Sequence, residues 1–399
     1  MQSGDSTVSS SHLSPAHVGS RLRAAREAAE MTQAKAAALV GLARTTLVAV
    51  EKGVRRARTG ELQRLAQAYS TTVNTMLRRE AAFVEFAPRF RKLASGAESH
   101  CSEAAELLER LVRAEVELES LLGVRRSFNY PPQRPLLGGD VVRQAEQDAT
   151  ELRHWLGLGL APVRDMLSLL ELDLGLRVYI RPLALEVSGL IAFEDTCGAC
   201  MLLNAEHSAG RRNQSAAHGL GHFMSSRGTP SIMRAERPGK SPEERYADVF
   251  GRTFLTPVRT VTQRFREITA GSSRLTRQHV FVLARYFGVS SGAMVRRLEE
   301  VGAAKQGTWD WFQRNGGITD QDVLEAPAGW AAQSVAPMPA PRSSTLRIDL
   351  LAAEAWRTEL LSEGQLAALL QLGRVQLREL LDAAEEERSS ADGAPELPS

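Results

Sequence analysis

The stretch that decides the fold is QSAAHGLGHFM (214–224), in which two histidines stand four residues apart. If this stretch is helical, His218 and His222 lie one turn apart on the same face and can bind one metal ion together. The chain has eight histidines, so a pair with this spacing also arises by chance. Its meaning therefore depends on the sequence around it.

The flanking sequence predicts an α+β domain with a small sheet. Short apolar runs predict strands at LRVYI (176–180), SGLIAFED (188–195) and ACMLLN (199–204). A second helix is predicted over EERYADVFGRTFLTP (243–257), and Glu244 in it lies 22 residues beyond His222. Two histidines from one helix and a carboxylate from the next form the three-ligand arrangement of catalytic zinc, which leaves a fourth position open.

One residue separates this pattern from a working peptidase. In zinc peptidases with the pattern H-E-x-x-H, the glutamate beside the first histidine is the general base. Gly219 occupies that position here, and glycine has no side chain that accepts a proton from water. A positioned base typically contributes about 10²–10⁴-fold to a rate. We therefore assign no catalytic residue and expect no enzymatic activity from this site.

The two segments together resemble the ImmA/IrrE family of zinc metallopeptidases, in which A-H-E-L-G-H is followed by E-x-x-A-[ND]-x-F-A-x-x-L-L-x-P. AHGLGH (217–222) matches the first motif except at Gly219. The residues that match the second motif are Glu244, Ala247, Asp248, Phe250 and Pro257. The resemblance implies a zincin-like domain over 140–325 with His218, His222 and Glu244 as ligands of Zn²⁺. The alternative is a histidine pair that is hydrogen-bonded inside the core, beside an empty cleft or one that holds a small ligand.

A different pattern occupies MTQAKAAALVGLARTTLVAVEKG (31–53). Thr32 can cap a first helix, Gly41 supplies a tight turn, and a second helix is expected to start near Ala43. Residues 17–79 contain twelve Lys or Arg and four Glu, a local surplus of positive charge in a chain whose net charge is +2. These features predict a helix-turn-helix that binds double-stranded DNA.

This segment resembles the XRE family of helix-turn-helix domains, which implies a mostly α, five-helix domain over 17–80. By this resemblance Gln33 contacts a phosphate, Arg44 and Thr45 approach base edges, and Ala49 touches a thymine methyl group. The further phosphate contacts that it implies are Lys52, Arg55, Arg56 and Arg58. The family often carries polar side chains where Val48 and Ala49 stand, which weakens the case for direct readout.

The remaining segments are predicted from composition and periodicity. Residues 81–139 are expected to be a helical linker, in which a two-heptad stripe packs on its own domain or forms a dimer seam. The stripe consists of Leu107, Leu111, Ala114, Leu118 and Leu121. Disordered ends are expected at 1–16 and 385–399, and an Ala/Pro-rich linker at 326–345.

The segment 346–384 predicts a small all-α element. Its part SEGQLAALLQLGRVQLREL (362–380) aligns without gaps to TQAKAAALVGLARTTLVAV (32–50), so it looks like a second helix-turn-helix. Its arginines, Arg374 and Arg378, are mixed with Glu363 and Glu379. We therefore expect partner docking rather than a second DNA reader.

Composition limits the classes of protein. The 43% hydrophobic and 24% charged residues are ordinary for a globular chain, and three cysteines in 399 residues favour a reducing compartment. The sequence has no signal-peptide pattern and no 18-residue apolar run, so we expect a cytoplasmic protein without a membrane partner.

Together these observations predict a DNA-binding transcriptional regulator, expected to be a homodimer. Its ImmA/IrrE-like domain would be a catalytically impaired module for sensing or protein binding. The alternatives are a zinc metallopeptidase that cleaves a repressor or partner protein, and an antitoxin that binds a toxin.

Overall fold

The computed structural model describes residues 15–29, 31–69, 99–234, 241–270, 272, 274–318 and 346–390. The chain divides into two compact units, Met1–Phe83 and Val84–Ser399. Several predicted segments lie outside the described residues: most of the N-terminal segment, the fifth helix of the first domain, the Ala/Pro-rich linker and residues 391–399.

Four helices form the described part of the first unit: α1 (Pro15–Ala28), α2 (Gln33–Leu39), α3 (Arg44–Glu51) and α4 (Thr59–Ala68). The Thr32 hydroxyl caps α2, and Gly41 adopts φ +68° in the turn before α3. The helix-turn-helix prediction is therefore confirmed. Helix α1 begins at Pro15, two residues before the predicted domain boundary at His17, and a proline is favourable in the first turn of a helix because its missing N–H is not needed there.

A buried carboxylate ties the first unit together. Glu51, at the end of α3, is 6% exposed. Its Oε1 lies 2.7 Å from Arg26 Nε of α1, and its Oε2 accepts a hydrogen bond of 2.9 Å from Gln33 Nε2. The charge is thus paired inside the core that Leu22, Leu47 and neighbouring side chains form.

The second unit contains a four-stranded sheet with the order β1-β3-β2-β4. Its strands are β1 (Arg177–Arg181), β2 (Val187–Glu194), β3 (Gly198–Asn204) and β4 (Ser231–Arg234). β1 runs parallel to β3, and the other pairs are antiparallel. The three predicted strands are confirmed, and the edge strand β4 is an addition that the sequence analysis missed.

The helices of the second unit follow in chain order: α5 (Ser99–Leu122), α6 (Val141–Trp155), α7 (Met166–Ser168) with a π-helical turn Leu169–Asp173, α8 (Ala209–Ser225), α9 (Pro242–Leu255), α10 (Val258–Ile268), α11 (Arg277–Phe287), α12 (Ser291–Glu300), α13 (Thr308–Arg314), α14 (Leu346–Arg357), α15 (Glu363–Leu370) and α16 (Arg374–Ser390). None of the described helices combines the length and apolar character needed to cross a membrane.

Both faces of the sheet are covered. On one face, Val178, Ile180 and Met201 pack against α8 and the helices around it. On the other face, Tyr179, Leu190 and neighbouring side chains pack against α5 and α14–α16. Burial on both faces explains why the strands are continuous apolar runs rather than alternating ones.

Helix α5 therefore belongs to the body of the second unit and is not a linker. Leu111, Ala114 and Leu118 of its stripe are at most 1% exposed and lie in the cluster with the sheet and the C-terminal helices. This packing corrects the linker prediction and favours the intramolecular alternative over a dimer seam. The physical reason is that the second face of the sheet needs an apolar cover.

The C-terminal helices complete that cover. α15 and α16 repeat the cap and turn of α2 and α3: the Ser362 hydroxyl accepts from Gln365 N–H as Thr32 accepts from Lys35 N–H, and Arg374, like Arg44, begins the second helix. The inner face of this element packs on the sheet and on α5 of its own chain. α16 also continues to Ser390, so the tail predicted to be disordered from residue 385 begins in a helix, as its Ala, Glu and Arg residues favour.

Buried ion pairs join this cover to the sheet. Glu119 of α5 accepts hydrogen bonds of 2.7 Å from Arg177 of β1 and of 3.0 Å from Arg347 of α14. Neighbouring Glu115 accepts one of 2.6 Å from the Tyr179 hydroxyl. Burial is the largest single influence and opposes ionisation of Glu119, but the hydrogen bonds and charges of Arg177, Arg347 and Arg126 together outweigh it and hold the pKa of Glu119 below its ordinary value.

Candidate metal centre and nucleic-acid interface

The metal centre is built from two helices that approach unusually closely. A Cβ added at Gly221 of α8 would lie 2.8 Å from Ala247 Cα of α9, and one at Gly251 of α9 would lie 2.8 Å from His218 N. Real side chains do not fit at such distances, so both glycines are required by the contact. This packing brings Glu244, in the first turn of α9, to the histidine face of α8.

Three donor atoms converge there. His218 Nε2 and His222 Nε2 lie 3.1 Å apart. Glu244 Oε1 is 3.2 Å from His222 Nε2, and Glu244 Oε2 is 3.4 Å from His218 Nε2. The two imidazoles are buried, at 3% and 4% exposure. The structure thus brings together the three ligands predicted from the sequence.

This donor set fits a zinc ion. Bonds of 2.0–2.1 Å at tetrahedral angles place two ligand atoms about 3.3 Å apart, close to the observed 3.1–3.4 Å. Imidazole nitrogen and carboxylate oxygen are also ligand types that zinc takes. His218, His222 and Glu244 would hold the ion, which would supply Lewis-acid polarisation at its open position.

The charge state of Glu244 suits a ligand. Burial disfavours its ionised form, but hydrogen bonds from His218 and His222 outweigh that effect and hold the pKa of Glu244 well below its usual range. A carboxylate that is already ionised can bind a metal without first losing a proton.

Asp248 is a second carboxylate that the sequence analysis did not assign to the site. It follows Glu244 by one turn of α9, and its Oδ1 lies 3.0 Å from His218 Nδ1. A carboxylate at this nitrogen orients the ring and keeps Nε2 directed at a metal. The signal in the sequence is the i, i+4 spacing of the two carboxylates on one helix face.

The space beside Gly219 is filled. A Cβ at this position would lie 2.9 Å from Met201 Cε of β3 and 3.1 Å from Met233 Sδ of β4. The position of the missing base is therefore packed with thioether side chains. A methionine sulfur is a weak hydrogen-bond acceptor and no base for water at neutral pH.

In the first unit, five of the predicted DNA contacts are exposed: Arg44, Thr45, Lys52, Arg56 and Arg58. Arg44 and Thr45 stand at the start of α3, where a recognition helix would enter a major groove. Ala49 is half-buried. This surface offers charge and a hydroxyl group at its centre.

Two other predicted contacts already have intramolecular partners. Gln33 donates to Glu51, as described above, and Arg55 donates two hydrogen bonds, of 2.9 and 3.1 Å, to the Glu61 carboxylate. Both side chains are half-buried. Their amide and guanidinium groups are thus oriented by acidic residues of the same unit.

Comparisons with known proteins agree with the two units. Residues 22–75 match the family model "Helix-turn-helix", and residues 172–299 match "IrrE N-terminal-like domain". No curated protein matches the chain.

The crystal structure of ComR from Streptococcus suis aligns over 96% of this chain and 97% of its own, with 8% identity and a TM-score of 0.16, which is too low to indicate a shared fold. From the family matches and the geometry together, the protein joins an XRE-type helix-turn-helix domain to an IrrE-like domain of the M78 peptidase family in one chain.

Proposed function

We propose that this protein is a DNA-binding transcriptional regulator whose IrrE-like domain is a catalytically impaired sensing module. The observation that carries the proposal is the contrast between the two units. The first presents Arg44 and Thr45 at the exposed start of α3. The second keeps a set of metal ligands but packs Met201 and Met233 where a general base would stand.

A cavity supports the sensing role. About 630 Å³ of space opens beside His218 and Asp248 in the IrrE-like domain. This volume lies in the range of small-molecule sites, roughly 300–1,000 Å³. A domain without its catalytic base can still bind a ligand there and change the state of the regulator.

We expect two copies to act on one operator. A single XRE-type head offers one short recognition helix, and two-fold half-sites give such heads enough affinity. Light scattering on the free chain and on its DNA complex measures this stoichiometry. A complex with one chain per operator would contradict it.

The experiment compares Arg44→Ala with Arg374→Ala in the full chain. Both arginines begin the second helix of a helix-turn-helix-like element, and both are exposed. Fluorescence anisotropy with DNA from upstream of the gene should show that Arg44→Ala weakens binding about 10- to 100-fold, the value of a charged contact. Arg374→Ala should leave affinity unchanged.

The outcomes are distinct. Unchanged binding by Arg44→Ala would refute the role of α3 as the recognition helix. Weaker binding by Arg374→Ala would show that the C-terminal element also touches DNA.

The converging His218, His222 and Glu244 favour one second candidate, a zinc metallopeptidase that cleaves a repressor or other partner protein. It predicts cleavage of a casein substrate by the full chain that a chelator stops and that His218→Ala abolishes. Cleavage of that kind at useful turnover would replace the sensing proposal.

A further inference from the structure

The cavity beside His218 has a strongly biased charge. Four arginines line it, Arg211, Arg234, Arg252 and Arg296, against a single lining carboxylate. That carboxylate, Asp248, lies 3.0 Å from His218 Nδ1, and Arg252 is paired with Glu300 at 2.9 Å. The cavity therefore keeps an excess of positive charge beyond its own ion pairs.

Two of these arginines carry most of that excess. Among the described residues, Arg211 and Arg296 form no ion pair, and both are exposed. They come from different helices, α8 and α12, so the fold places them on the same cavity although 85 positions separate them. Two unpaired guanidinium groups on one cavity favour an oxyanion, which they can bind through paired hydrogen bonds.

The backbone adds to this charge. Ser208 and Ser290 line the cavity and are the N-caps of α8 and α12. The first turn of each helix carries partial positive charge, which also favours an anion. The Ser290 hydroxyl lies 3.1 Å from Gln214 Oε1, which fixes the α12 terminus against α8.

Trp309 supplies an aromatic side chain to the cavity wall beside α12. A Cβ at Gly292 would lie 2.9 Å from Trp309 Cη2, so Trp309 packs directly on the first turn of α12. The Arg296 guanidinium lies 5.7 Å from the Trp309 ring centroid, which holds this side chain at the edge of the cavity. Arg296 is thus held at the cavity before a ligand arrives.

From these contacts we infer that the cavity binds a small organic molecule with two or more oxyanion groups, either phosphate esters or carboxylates. The inference rests on the proposed function in that it names the class of ligand that the IrrE-like domain senses. The ligand lies between the starts of α8 and α12, with Arg211 and Arg296 as its principal contacts.

Isothermal titration of the full chain tests this inference with two probes. Fructose 1,6-bisphosphate represents phosphate esters, and tricarballylate represents carboxylates. At least one should bind with a Kd below about 1 mM, the weak end of the range for a specific site. The probe that binds more tightly shows whether the cavity prefers phosphate esters or carboxylates. Absence of binding by both at 10-fold higher concentration, about 10 mM, would overturn the inference.

Matched variants locate the site. Arg211→Ala and Arg296→Ala should each weaken binding about 10- to 100-fold, because each removes a charged hydrogen bond. Arg259→Ala removes an exposed arginine of α10 that does not line the cavity, so it should bind like the wild type. Circular dichroism checks that the variants are folded.

Binding that survives both cavity variants would place the anion elsewhere, for example on the basic first unit, and would also overturn the inference. The titration contains no DNA, so its result is independent of the operator assay. If the protein failed to bind DNA, the regulator proposal would be wrong but the cavity site would be unaffected. If the cavity failed to bind an anion, the regulator proposal would be unaffected.

Discussion

At the scale of single residues, Gly219 stands where a general base would be, and neighbouring side chains fill the space of that base. A glutamate at this position would have to enter where Met201 Cε and Met233 Sδ lie, within about 3 Å of its Cβ. Both methionine side chains are flexible but must shift inside a packed core, so we expect Gly219→Glu to lower stability by about 1 kcal/mol, the low end of the cost of overpacking. The measurement is urea unfolding of the full chain, and no gain of cleavage is expected from this change alone.

The double variant Gly219→Glu/Met233→Ala tests the cause. Removing the Met233 side chain makes room for the carboxylate, so the cost of the pair should be smaller than the sum of the two single costs. Simple additivity would show that the methionine is not what excludes a glutamate. Cleavage activity gained by the double variant would show that only the base is missing.

The ligand residues make a second prediction at this scale. Zinc added to the metal-free chain should raise its unfolding temperature, with a stabilisation of about 2.7 kcal/mol when free zinc is 100-fold above its Kd. His222→Ala should remove this response. His154→Ala, which replaces an exposed histidine of α6, should retain it. If zinc left the unfolding temperature of the wild-type chain unchanged, the metal centre would be refuted.

At the scale of elements, the site depends on how closely α8 and α9 pack. In Gly221→Ala the new Cβ would meet Ala247 Cα, a backbone atom that has no rotamer by which to move away. The helices must separate, so we expect a loss of about 1–3 kcal/mol in stability and weaker zinc binding, because Glu244 moves with α9. Calorimetric titration and urea unfolding measure the two effects.

Gly228→Ala is the matched control. Gly228 is exposed, and a Cβ there would meet nothing within 4 Å. It should therefore bind zinc and unfold like the wild type. An equally harmless Gly221→Ala would mean that the close contact between the two helices is not needed to assemble the site.

Helices α8 and α9 also show which features of the site could be predicted from the sequence and which could not. The histidine spacing and the apolar runs are local signals, so the α8 helix, three strands and the ligand residues followed from them. The contact of Gly221 with Ala247 is tertiary and leaves no local pattern. β4, only four residues long, has a register irregularity against β2 at Val187 and Gly189, so it also lacked a periodic signal.

The cavity arginines escaped prediction for the same reason. Arg211, Arg234, Arg252 and Arg296 belong to four different elements, and each looks like an ordinary surface charge in the sequence. Only the packing of α8, β4, α9 and α12 makes them neighbours. The helix-turn-helix of the first unit could be predicted from the sequence, because its cap, turn and second helix all fall within 31–53.

At the scale of the whole molecule, the second unit is a sheet between two helical layers, and the C-terminal helices are part of one layer. The sequence predicts them as a separate element because an Ala/Pro-rich segment intervenes. Their buried side chains nevertheless share one cluster with Tyr179 and Leu190 of the sheet. Arg347, in the first turn of α14, also pairs with Glu119 beneath that layer.

This arrangement predicts that the C-terminal helices and the IrrE-like body unfold together. Leu366 of α15 is fully buried, so Leu366→Ala should destabilise the body by about 2–5 kcal/mol, as cavity-forming changes do. Leu350 of α14 is 52% exposed, and Leu350→Ala should change stability by less than about 0.5 kcal/mol. Calorimetry should show the main transition shifted as a whole in the first variant. If a separate low-temperature transition appeared and the main one stayed in place, the C-terminal helices would be an independent appendage.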